Sequence, residues 1–100
     1  MQLMTPQIED MLTKSKLNES RNKSSNVIVK YFTPIGPGTW LITAGKKMPD
    51  GDWLLWGYCH IFEWEWGYVS LSELEAIEFG GLGVERDLYA HGTVADLCVH

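Results

Sequence analysis

Cysteine is nearly absent. Two residues in 100 cannot build a disulfide-dense scaffold. No window approaches the roughly 18 unbroken apolar residues of a membrane span. No heptad run, collagen period or repeat of about 20–50 residues is present. Basic residues are also scarce. Eight Lys and Arg face 13 Asp and Glu, a net charge of −5, which disfavours binding to duplex nucleic acid. No Gly-x-Ser-x-Gly signals a nucleophile elbow, and no Cys-x-x-Cys or His-x₃-His signals a zinc knuckle. The length suits one domain and is too short for two.

Aromatic residues are what the chain has in excess. Twelve per cent are Phe, Trp or Tyr, and five are Trp. An apolar share of 45% reads as globular rather than disordered. Charge is polarised along the chain. Residues 1–50 carry seven basic against four acidic side chains, a net of +3. Residues 51–100 carry one against nine, a net of −8. Such a split can steer association. The start, MQLMTPQIEDMLTK, has neither a basic n-region nor an apolar h-region, so a cytoplasmic protein with free thiols is expected.

Thr5-Pro6 opens a helix over about 6–16, with Ile8, Met11 and Leu12 as its apolar stripe. Residues 18–26, NESRNKSSN, are polar without periodicity and read as a mobile linker. Strands are expected at 27–32 and 39–44, separated by the Pro- and Gly-rich turn at 33–38. In the first, Val27, Val29 and Tyr31 share a face. Pro49-Asp50-Gly51 marks a hairpin turn into the strongest strand, 52–62, expected to be central and covered on both faces. A turn near Glu63–Glu65 and a short strand at 66–70 follow. Ser70, with Glu73 three residues on, has capping-box spacing for a second helix ended by Gly80-Gly81. A last strand is expected at 84–89, then an irregular tail over 90–100. The fold class is α+β: one domain over 1–100 with its core at about 27–89. A small antiparallel sheet of four to five strands carries the N-terminal helix and the short helix on one face.

Three runs in this frame, FTPIGPGTWLIT, WGYVSLSELEAI and GLGVERDLY, resemble the bacterial domain-of-unknown-function family 2958. The positions that carry the resemblance are Phe32, Pro34, Gly38, Thr39 and Trp40; then Gly67, Tyr68, Ser70, Leu71, Glu73 and Leu74; then Gly81, Leu82, Glu85, Arg86, Asp87 and Tyr89. The resemblance implies a small cytoplasmic bacterial protein, often carried on plasmids, integrative elements or phages. It implies no activity and no cofactor. Pro34, Gly38, Trp40, Gly67, Ser70, Leu74, Glu85, Arg86 and Asp87 stand as structural positions of the pattern.

No catalytic residue, metal or cofactor is assigned. Cys59-His60, His91 and Cys98-x-His100 lack zinc spacing, and adjacent strand residues point to opposite faces. Glu85 and Asp87, two strand steps apart, would suit paired acids in a hydrolase, but an ion pair fixing the last strand explains them as well. The Trp cluster is harder to absorb. Trp40, Trp53, Trp56, Trp64 and Trp66 cannot all enter one core layer, and exposed indoles serve binding hot spots. The leading expectation is therefore a non-enzymatic protein-binding or regulatory module. Its partner would meet Trp64, Trp66 and Tyr68, flanked by Glu63, Glu65 and Glu73. One version is an inhibitor of a host defence nuclease or nucleic-acid-binding protein, with carboxylates in place of phosphates. The alternative is single-stranded nucleic acid stacked on the rings, with the Lys14–Lys30 region tracking phosphates. An exposed aromatic face also fits a homodimer.

Overall fold

The structure, a computed structural model, describes residues 2–98. Its chain runs α1 (Pro6–Lys14), a 3-10 turn (Leu17–Glu19), β1 (Val29–Phe32), β2 (Thr39–Lys47), β3 (Trp53–His60), β4 (Trp64–Ser70) and α2 (Leu71–Ala76). Three two-residue strands follow, β5 (Glu78–Phe79), β6 (Leu82–Gly83) and β7 (Glu85–Arg86), and then α3 (Val94–Leu97). Five strands form one antiparallel sheet in the order β4-β3-β2-β1-β7. The α+β class and the antiparallel sheet stand as the sequence implies.

α1 begins where Thr5 accepts the Ile8 N–H (3.2 Å) and Pro6 fills the first turn. It ends at Lys14, earlier than expected, because the Ser15 hydroxyl turns back to donate to the Leu12 carbonyl (2.5 Å). Ile8 and Leu12 are buried, whereas Met11 faces solvent. α2 has the full capping box of Ser70 and Glu73 and buries Leu71 and Leu74. Both helices pack on the same sheet face, over Val29, Tyr31, Trp40, Ile42, Trp53 and Leu55. Tyr31 is wholly buried there, and its hydroxyl donates to the Leu3 carbonyl (2.6 Å), pinning the N-terminal segment to the sheet.

Other expectations need correction. Gly80-Gly81 does not stop α2; both residues have positive φ (57° and 83°) and make the two-residue turn between β5 and β6. The last strand is only β7, after which the Asp87 N–H reaches the Lys30 carbonyl and Leu88 and Tyr89 stand exposed. The tail is not irregular throughout: Thr93 and Asp96 form a second capping box that starts α3, and Val94 is wholly buried. β4 starts at Trp64, so the turn lies before it. β3 is covered fully on one face only; on the other, Leu54, Trp56 and Tyr58 are half-buried.

The polar linker is tethered. The Ser20 carbonyl accepts from both the Thr43 hydroxyl (2.7 Å) and the Trp56 indole N–H (3.2 Å). Asn26 bridges Thr93, and Val27 N–H donates to the Gly92 carbonyl. Val27 thereby leaves the face of Val29 and Tyr31 and joins Leu41 and Val94 in a second, smaller core on the opposite side of the sheet.

Candidate functional site

Every second residue of a strand faces the same side, and β3 pairs with β4 without a bulge. Trp56 therefore lies opposite Tyr68, Tyr58 opposite Trp66, and His60 opposite Trp64. The result is one aromatic ladder. Trp56 and Trp66 stack at 5.8 Å, Tyr58 and Trp64 at 5.1 Å, each pair within 14° of parallel. Tyr68 meets Trp56 edge-on at 4.8 Å, and His60 tilts against Trp64 at 5.2 Å. Such pairs contribute on the order of 1 kcal/mol each beyond area burial.

Trp64 and Trp66 are half-buried and pack, with Tyr58, against Leu41, Val27 and Val94, so part of each indole belongs to the second core. Tyr68 is the open ring, 52% exposed. Trp40 and Trp53 are buried on the other face.

The charges around the ladder differ from those beside it in sequence. Arg21 sits over the Trp56 ring at 4.8 Å and Lys23 over Tyr58 at 5.5 Å. Both come from the linker that Ser20 tethers. Glu65 lies on the opposite face, paired with Cys59, and Glu63 and Glu73 are exposed in the β3–β4 turn and in α2. The aromatic face is thus bordered by cations, and Glu65 points away from it.

A groove of about 610 Å³ opens beside the ladder, between the end of α1 and the β2–β3 hairpin. Leu17, Leu54, Trp56 and Tyr68 are apolar residues of its lining; Lys46, opposite Leu54, shares the sheet face of the ladder, and Lys47, opposite Trp53, follows at the next position of β2. Among the described residues no carboxylate side chain lines it. Sequence reasoning did not assign Lys46 and Lys47 because they sit in the run to the hairpin turn. Their pairing with Leu54 and Trp53 is the missing signal.

The family-pattern residues hold the scaffold. Pro34 is exposed in the β1–β2 turn, which closes when Gly38 N–H donates to the Thr33 hydroxyl (3.0 Å). A Cβ on Gly38 would press within 2.7 Å of the Trp40 ring. Gly67 lies opposite Gly57, and Leu74 is wholly buried. Glu85 and Arg86 pair with Phe32 and Tyr31. Asp87 accepts from the Tyr89 N–H (2.9 Å) and approaches Lys30 at 3.6 Å, so its carboxylate is engaged in fixing the end of the strand. Glu85 instead lines a separate cleft with Glu75, so the structure does not pair it with Asp87 in one cleft.

Burial pushes the Cys59 thiol up to about 12, which suits a packing role. Among the described residues no group of His, Cys, Asp and Glu is placed to hold a metal ion, and His100 lies outside them. No helix among them is long and apolar enough to cross a membrane. No curated protein and no solved structure matches the chain. The family model described as "protein of unknown function (DUF2958)" matches residues 3–98, almost the whole length, and the chain belongs to that family.

Proposed function

We propose that this protein is a non-enzymatic binding module whose basic, aromatic groove takes an acidic segment of a partner protein with apolar side chains among its carboxylates. The groove lining carries the reading: Lys46 shares the sheet face of Leu54, Trp56 and Tyr68, Lys47 follows it on β2, and among the described residues no carboxylate side chain is in the lining. Rings offer large contact area at low entropic cost, and the exposed lysines beside them attract and steer an anionic partner.

The ring geometry favours protein over single-stranded nucleic acid. Base stacking needs free ring faces. Here Trp56 already contacts Trp66, Tyr68 and Arg21, and Tyr58 contacts Trp64, Trp66 and Lys23. Ring edges and the Tyr68 surface remain, which suit aliphatic and phenyl side chains.

Titration of intrinsic Trp fluorescence tests this with two probes, a peptide alternating Glu with Leu or Phe and a single-stranded oligonucleotide. The expected result is saturable, salt-sensitive peptide binding that K46E with K47E abolishes while the melting temperature is kept. Absence of peptide binding, or binding of the oligonucleotide alone, would overturn the reading.

A further inference from the structure

The two edges of the sheet are unlike. β7 is two residues long, and so short an edge offers little to an incoming strand. β4 is seven residues long, runs without a bulge, and contains neither Pro nor Lys. Edge strands in proteins are ordinarily guarded by such features. Here the only charge on the strand is Glu65. A trough of about 360 Å³ follows the strand, with Phe62 (94% exposed) at its mouth and Gly67 and Val69 along it. A Cβ on Gly67 would meet nothing within 4 Å, so the sheet face is open at the strand's midpoint, and the sheet order leaves the outer edge of β4 without a partner strand among the described residues.

We propose that β4 is a dimer interface, where two copies of this chain pair β4 against β4 antiparallel about a twofold axis at Gly67. Residues directly opposite one another in an antiparallel pair share a face, which limits the registers a twofold allows. A register centred on Trp64 sets Glu63 against Glu65, and one centred on Glu65 sets that carboxylate against itself; both are repulsive. The register centred on Gly67 pairs the whole strand. It puts Glu65 opposite Val69, Trp64 opposite Ser70, and Trp66 opposite the exposed Tyr68. The aromatic ladder would then continue from one copy into the next, and the strand is self-complementary in both charge and ring placement. Arg21, Lys46 and Lys47 lie on the linker and on β2, away from this edge; Tyr68 is the groove residue that the interface shares, so the groove reading and the dimer meet at that ring while the strand pairing stands apart from the groove's charge.

Light scattering on the full chain, across a concentration series, should give twice the monomer mass at the upper end. In a C98S background, Gly67→Cys should cross-link on mild oxidation, because facing Cα atoms lie about 4.5–5.5 Å apart. Glu65→Cys alone should not cross-link, since its two copies lie four strand steps apart, roughly 13 Å, beyond disulfide reach. A mixture of Glu65→Cys and Val69→Cys chains should cross-link to each other. A monomer at every concentration would overturn the proposal. So would a dimer that cross-links at Glu65 and not at Gly67.

Discussion

Thr43 and Trp56 donate to one acceptor, the Ser20 carbonyl, at 2.7 and 3.2 Å. Thr43 lies at the bulge of β2, between Ile42 and Ala44, and Trp56 pairs across from Ala44 on β3. Two strands thus grip one point of the linker, and that grip places Arg21 over the Trp56 ring. Thr43→Val should cost about 1 kcal/mol, the net worth of one such bond, and Trp56→Phe more, because it also gives up indole area against Trp66 and Arg21. The double variant should lose more than the two singles together, by about 0.5 kcal/mol or more, because only then is the carbonyl left with no donor. Urea unfolding of the four proteins checks this, and amide exchange of residues 18–26 should quicken most in the double variant.

That grip also marks where the sequence stops being informative. Local signals carried far. Thr5-Pro6 and the Ser70/Glu73 box start α1 and α2 where they should, because a cap is written within four residues. Pro49-Asp50-Gly51 turns the hairpin, with Gly51 at φ 90°. Gly80-Gly81 has two meanings, a helix stop or a two-residue turn, and only the pairing of Glu78 with Gly83 selects the second. α3 went unseen because a four-residue helix has no periodicity, although Thr93-x-x-Asp96 carries its cap. The candidate site was half legible. Alternation placed Trp64, Trp66 and Tyr68 on one face. The cations over that face come from 30 or more residues away, by a contact to a main-chain carbonyl that no side-chain pattern encodes.

Gly57 and Gly67 face each other across β3 and β4, yet substitutions there should behave oppositely. The β2 bulge brings main chain onto Gly57. A Cβ there would overlap the Leu41 carbonyl oxygen and stand 2.8 Å from its carbon and 2.9 Å from Ile42 Cα. Backbone cannot swing aside as a side chain can, so Gly57→Ala should lose about 3 kcal/mol or more. Gly67→Ala meets open space and should stay within about 0.5 kcal/mol of the parent. Thermal melts of the two variants separate these outcomes.

Cys59 should be silent to thiol reagents in the folded protein. Its thiol is packed against the main core, and burial pushes its titration up to about 12, so almost no thiolate exists at pH 8. In a C98S background, iodoacetamide labelling followed by mass spectrometry should show no adduct in buffer and full modification in denaturant. Rapid labelling under native conditions would mean that the edge of the sheet opens readily.

Stability should fall on both sides of neutrality, for different groups. Asp52 titrates below the usual carboxylate range. The Ser72 hydroxyl donates to it at 2.6 Å, and the Trp53 and Ser72 N–H groups add to the shift. Asp96 is lowered in the same sense, chiefly by the Thr93 N–H. A folded-state pKa below the unfolded value of about 3.9 adds stability that is complete above that value and lost as pH falls through the lower, folded one. At the alkaline end, burial holds the protons of Cys59 and Tyr31 up to about 12. The unfolded chain releases these protons at lower pH, so stability should decline as pH rises past about 9. Urea midpoints measured from pH 3 to pH 10 should trace both limbs. Asp52→Asn should flatten the acidic limb and leave the alkaline one in place, because the carboxylate ties the β2–β3 hairpin to the first turn of α2 and takes no part in burying either thiol or phenol. Cys59→Ala should do the reverse, softening the alkaline limb alone.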